Sequence, residues 1–130
     1  MITREDYMMG RDALYPLDMT PAIEANVARL LGLVNVLLTR YGAHPKVSSG
    51  WRPPQLNAST PNAAPNSKHM TGQAIDLADP DGDLDEWLMS DAGLDVMNAV
   101  GLWMEHPAAT KGWSHLQSVP PRSGRRCFFP

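Results

Sequence analysis

The chain has 130 residues, a formal net charge of -3 and one cysteine. That length suits one domain with a real hydrophobic core and is too short for two, and the small negative charge gives no reason to propose nucleic acid as a partner. Cys127 alone can form neither an intramolecular disulfide nor a cysteine-based zinc cluster.

The N-terminal Met1-Ile2-Thr3-Arg4-Glu5-Asp6 carries acids and polar groups where a secretory signal needs an apolar run. No later stretch reads as a bilayer span. Synthesis in the cytoplasm without a signal peptide is therefore expected. Thr3 ahead of Arg4-Glu5-Asp6 and Tyr7-Met8-Met9 predicts a short capped helix ending at Gly10. Thr20-Pro21 reads as an N-cap followed by proline at the first helical position, where its missing N–H costs nothing. Ile23, Val27, Leu30, Leu31, Val34, Leu37 and Leu38 then recur at helical spacing, with Arg40 and Gly42 closing the helix. That stripe is core.

Val47 to Trp51 reads as a short strand, followed by a long loop of Arg52-Pro53-Pro54 and Thr60 to Asn66 that leads into His69. Gly72 lets the chain reverse after His69. In the strand Ala74-Ile75-Asp76-Leu77, Asp76 points with Ala74 while Ile75 and Leu77 enter the core. Asp79 to Glu86 superficially suggests a calcium loop, but an EF-hand counted from Asp79 needs glycine sixth and glutamate twelfth, where Leu84 and Ser90 stand. A turn followed by acids at the positive end of a helix is the better reading. Leu84, Trp87, Leu88, Leu94, Val96 and Met97 form its buried face, with a break near Ser90-Asp91. The short aromatic runs at 102–105, 113–117 and 127–129 read as strands of a small, mainly antiparallel sheet. The expected class is α+β, a sheet covered on one side by the 20–41 helix and a second helix.

The chemistry concentrates in the stretch from Ser67 to Leu77, where His69 and Asp76 flank a glycine turn as half of a metal site. Catalytic zinc usually has three protein ligands and a water, so a third ligand must come from elsewhere. His115 lies on a strand whose Trp113, His115 and Gln117 share one face, and it looks towards a site or solvent. His44, before Pro45, reads as exposed. A serine or cysteine hydrolase has little support, because no G-x-S-x-G is present and Cys127 has no histidine near it in sequence.

Ser67, His69, Gly72, Ala74 and Asp76 match the pattern S-x-H-x-x-G-x-A-x-D at every stated position. In this the chain resembles the zinc metallopeptidases that include D-alanyl-D-alanine carboxypeptidases and dipeptidases and the L-alanyl-D-glutamate endolysins of bacteriophages, which share a fold with the Hedgehog signalling domain. Trp113 and His115 match that family's later W-x-H element. Ser49, Gly50, Arg52 and Asn57 resemble its upstream S-G-x-R and asparagine, with Trp51 at the variable position.

The resemblance implies one zinc ion held by His69, Asp76 and His115, with peptidoglycan stem peptides as substrate. It implies Arg52 as a clamp for a substrate carboxylate or the developing oxyanion, a task for which a planar guanidinium suits better than lysine. Ser67 would hold a neighbouring backbone group or the His69 ring, and Asn57, Trp113 and Gln117 would line the substrate cleft. The general base, in the family a glutamate or histidine shortly before the last ligand, departs from the pattern: Gly112 and Trp113 stand there. Glu105 is the expected base, with His106 second or simply capping the turn before Pro107. A monomer acting at the cell wall or periplasm is expected if the chain is a phage lysin. The alternative is a non-catalytic, zinc-containing module of the same fold that grips cell-wall peptide or a protein partner.

Overall fold

In a computed structural model that describes residues 1–130, the chain forms six α-helices and a five-stranded sheet of order β1-β2-β4-β3-β5. The order of elements is α1 (Arg4–Met8), α2 (Arg11–Leu14), α3 (Pro21–Tyr41), β1 (Val47–Ser49), α4 (Pro54–Ser59), β2 (Ala74–Asp79), α5 (Asp83–Met89), α6 (Asp91–Val100), β3 (Trp103–Glu105), β4 (Gly112–Gln117) and β5 (Cys127–Phe128). A 3-10 turn at Pro107–Ala109 links β3 to β4. Every strand pair is antiparallel except β3–β5, which is parallel. The fold is therefore α+β, with a mainly antiparallel sheet.

The termini of α3 follow from its sequence. The Thr20 side chain accepts from the Ile23 N–H, Pro21 takes the first turn, and Gly42 ends the helix at φ 87°. Val27, Leu30, Leu31, Val34, Leu37 and Leu38 are buried in one cluster with Ile75, Leu77, Met104, Leu116 and Met97. Thr3 and Asp6 form a reciprocal capping box on α1. The Tyr7 hydroxyl, fully buried, donates to the Ala74 carbonyl and ties α1 to the start of β2.

Several expectations need correction. By length and composition α3 could cross a membrane, although no such stretch was expected; a core helix passes the same test, and the buried stripe of α3 faces the sheet. The 52–66 segment is broken by α4, which starts on Pro54 where proline fits a first helical turn. The first strand ends at Ser49, and Trp51, off the sheet, is wholly buried with its indole N–H donating to the Met70 carbonyl. Ala74 is as buried as Ile75. Trp87 and Leu94 are only partly buried at the margin of the core. The break at Ser90 is present, and its hydroxyl caps α6 at Gly93.

The acidic run owes its shape to Asp79. One carboxylate oxygen accepts from the Leu84 N–H at 3.0 Å; the other accepts from the Asp85 N–H at 2.9 Å and the Ser114 hydroxyl at 3.1 Å. That caps α5 from the preceding strand. Asp85 is buried beside it, with Oδ1 unpartnered and Oδ2 3.5 Å from the Thr110 hydroxyl. Burial, with the Asp79 charge adding, pushes the Asp85 carboxyl up. An acid whose folded pKa is raised is penalised once ionised, fully above that value and not at all below the unfolded aspartate pKa of about 3.9. Asp85→Asn should therefore stabilise the fold at neutral pH by on the order of 1 kcal/mol, with the gain fading in acid. Urea denaturation across that range checks this; equal midpoints at neutral pH would refute it.

Candidate metal centre

The sheet register assembles the site. Asp76 of β2 lies opposite His115 of β4, and Ser49 of β1 lies opposite Asp76. Trp103 pairs with Gln117 and Met104 with Leu116, so one further step along the same register sets Glu105 beside His115. Cross-strand partners share a face. Ile75, Leu116 and Met104 thus form one apolar row in the core, while Ser49, Asp76, His115 and Glu105 form a polar row on the opposite face.

His69 reaches this row from the turn before β2. The Ser67 hydroxyl accepts from the His69 N–H, Met70 N–H donates to Ser67 O, and Gly72 turns the chain at φ 74°. A Cβ at Gly72 would stand 2.7 Å from Val27 Cγ2, so the turn sits directly on α3. The 50–52 segment braces it from the other side: Arg52 N–H donates to His69 O at 3.1 Å, and the His69 Nδ1 lies 2.8 Å from Gly50 O. Gly50 has no room for a side chain, since a Cβ there would lie 1.8 Å from Tyr7 O.

Three ligand atoms, one each from His69, Asp76 and His115, lie within 4.8 Å of one another. His69 Nε2 is 3.3 Å from Asp76 Oδ2, and His115 Nδ1 is 2.8 Å from Asp76 Oδ1. A carbonyl oxygen only accepts, so Gly50 O fixes the proton of a neutral His69 on Nδ1 and leaves the Nε2 lone pair aimed at a carboxylate. Burial pushes the His69 pKa down, against the pull of Asp76, and favours that neutral ring. Two lone pairs so close repel unless a cation lies between them. Bonds of roughly 2.0–2.2 Å set two ligands of a tetrahedral zinc about 3.3 Å apart, which is the His69–Asp76 spacing. The donor set, two imidazole nitrogens and a carboxylate, therefore fits zinc.

The remaining charges follow the same packing. Burial raises Asp76, but the imidazoles beside it, His115 first and then His69, outweigh that and hold the carboxyl below the usual range. Burial lowers His115, but Asp76 outweighs it and raises the imidazole. Glu105, half-buried, is raised by burial, with His115 opposing and Asp76 adding.

Other residues singled out from the sequence have distinct surroundings. Arg52 is half-buried with its Nε unpartnered, near enough to Asp76 to feel its charge. The Asn57 amide donates to Ala64 O at 2.9 Å, and the residue is buried, so it ties α4 to the loop that follows it. Trp113 is half-buried on the face of His115. Gln117 is buried and hydrogen-bonded to the His115 ring. His106 caps the 3-10 turn through Nδ1, accepting from Ala108 N–H, and stacks on Phe129 with ring centres 4.4 Å apart.

Sequence reasoning missed Gly50, whose carbonyl accepts from the His69 ring, and Phe128, whose ring meets that of His115 edge-on at 6.3 Å. Gly50 was visible as part of S-G-x-R but without a task, and Phe128 gave no signal because it arrives on the one parallel strand. A family model described as Peptidase M15 matches residues 12–104. No curated protein and no solved structure matches the chain.

Proposed function

The chain belongs to the Peptidase M15 family, and on that premise we propose that it is a zinc-dependent peptidase hydrolysing a bond in the peptide stems of peptidoglycan, in the manner of an endolysin endopeptidase or a D-Ala-D-Ala carboxypeptidase. The observation that carries this reading is the convergence of the His69, Asp76 and His115 ligand atoms within 4.8 Å. These three residues would hold the ion. Zinc bound there would polarise the scissile carbonyl and lower the pKa of an attacking water.

The chain's own groups supply the rest. Glu105, beside His115 on the polar face, would take the proton of the attacking water and give it to the leaving amine, a transfer that needs a carboxylate in reach of both. Its burial supports that task, because a carboxyl raised towards neutrality returns a proton more readily. Arg52 would hold a substrate carboxylate or the carbonyl oxygen as charge develops on it. Trp113 would line the cleft. Synthesis in the cytoplasm and action at the wall after release by another agent complete the proposal.

The test is metal analysis of the purified protein together with muropeptide products from isolated sacculi. Stoichiometric zinc and new stem-peptide termini, both lost in His69→Ala, are expected. A zinc-loaded protein that binds sacculi and leaves every stem intact would be a binding module instead.

A further inference from the structure

We infer that Gln117 is a positioning residue of the metal centre, whose side-chain carbonyl keeps a proton on His115 Nε2 and so leaves Nδ1, the nitrogen beside Asp76, to bind the ion. The inference rests on the zinc peptidase reading and adds to it the residue that selects the ligating nitrogen.

Gln117 is 5% exposed, and its Nε2 donates to Val119 O at 2.8 Å. Val119 O can only accept, so the amide group must face it and the orientation of the side chain is fixed. Oε1 is thereby directed at His115 Nε2, 3.0 Å away. An amide oxygen also only accepts, so Nε2 carries a proton. Nδ1, 2.8 Å from Asp76 Oδ1, is then the nitrogen open to zinc, which would take the place of the proton shared with the carboxylate.

The two histidines therefore present opposite nitrogens. His69 offers Nε2 because Gly50 O occupies its Nδ1, and His115 offers Nδ1 because Gln117 occupies its Nε2. The geometry of their elements explains the difference. His115 sits directly across the ladder from Asp76, so its near nitrogen meets the carboxylate, while His69 reaches over from a turn with its far nitrogen. Residues two apart on a strand share a face. Gln117 follows His115 by two and is itself paired on both sides, with Ala74 and Trp103, so its backbone has no freedom to drift.

Two variants and two readouts test this. Gln117→Leu removes the acceptor at similar volume; Gln117→Glu keeps an acceptor and gives up the bond to Val119. Zinc affinity is read by chelator competition, and the protonated ring nitrogens of His115 and His69 by ¹⁵N NMR of the zinc-free and zinc-loaded proteins. Loss of an outer partner of a ligating histidine weakens metal binding by about 10–100-fold. That loss is expected for Gln117→Leu, with His115 of the zinc-loaded protein losing its single Nε2–H form. Gln117→Glu should keep wild-type affinity and the Nε2–H form. His69 should keep its Nδ1–H form throughout, which shows that the site has stayed folded. Unchanged affinity and an unchanged His115 tautomer in Gln117→Leu would overturn this inference alone, as would zinc found on His115 Nε2 in the wild type. A wild type that takes up no zinc would overturn the peptidase reading and this inference together.

Discussion

Asp76→Asn is expected to abolish both stoichiometric zinc and hydrolysis, because Asp76 is the hinge of the donor set: each of its oxygens faces a different imidazole. An amide has one oxygen and one N–H₂ group, so whichever way it turns it presents hydrogens to one histidine and withdraws the anionic charge from both. The fall in zinc affinity should exceed the roughly 100-fold that loss of an outer partner costs. The zinc-free protein gives an independent reading. The folded pKa of Asp76 lies below its unfolded value, so its contribution to stability is complete above about pH 3.9 and is lost as pH falls through the folded value. The folded pKa of His115 lies above its unfolded value, so its share is complete below about pH 6.5 and is lost as pH rises through the folded value. Zinc-free wild type should therefore exceed zinc-free Asp76→Asn in stability most clearly between these limits. Denaturation at a series of pH values measures this, and a difference that grows in strong acid would contradict it.

What the sequence disclosed was local, and what it withheld was pairing. The stripe of α3 and its ends at Thr20 and Gly42 could be read because helical period and caps act within a few residues. Gly72 was legible for the same reason, since a positive φ leaves few residue types. The four-residue α2 and six-residue α4 are too short to establish a period, so composition around Pro53 and Pro54 spoke for loop instead. The unexpected burial of Ala74 and the cap that Asp79 places on α5 depend on what the fold brings across: Tyr7 from α1 in one case, Ser114 from β4 in the other. The hold of Gly50 on His69 uses a backbone oxygen, which no side-chain pattern advertises. The candidate metal row itself was half visible. His69 and Asp76 lie seven residues apart, but the positions of His115 and Glu105 follow from the strand order β2-β4-β3, which is a property of the assembled sheet.

That order decides the last expectation: Glu105→Gln should lower kcat by about 10²–10⁴-fold, the usual worth of a general acid–base group, while zinc stays bound at wild-type affinity. The residues three and two before His115 on its own strand, Gly112 and Trp113, carry no proton acceptor. The neighbouring strand supplies one, because extending the Met104–Leu116 register by one residue brings Glu105 to His115, just as Asp76 lies on the other side. His106, the nearest alternative, is committed to the Ala108 N–H and to Phe129. Glutamine keeps the volume and removes the exchangeable carboxyl proton, so binding of the ion and of the stem peptide should persist while turnover falls. Titration of Glu105 in the zinc-free protein should lie above the ordinary glutamate value, since burial disfavours its charged form. Because a base works deprotonated, the acid limb of kcat/KM should move or vanish in Glu105→Gln. Turnover and a pH profile equal to wild type would take the role from Glu105, whereas loss of zinc from the variant would make it a structural support of the site.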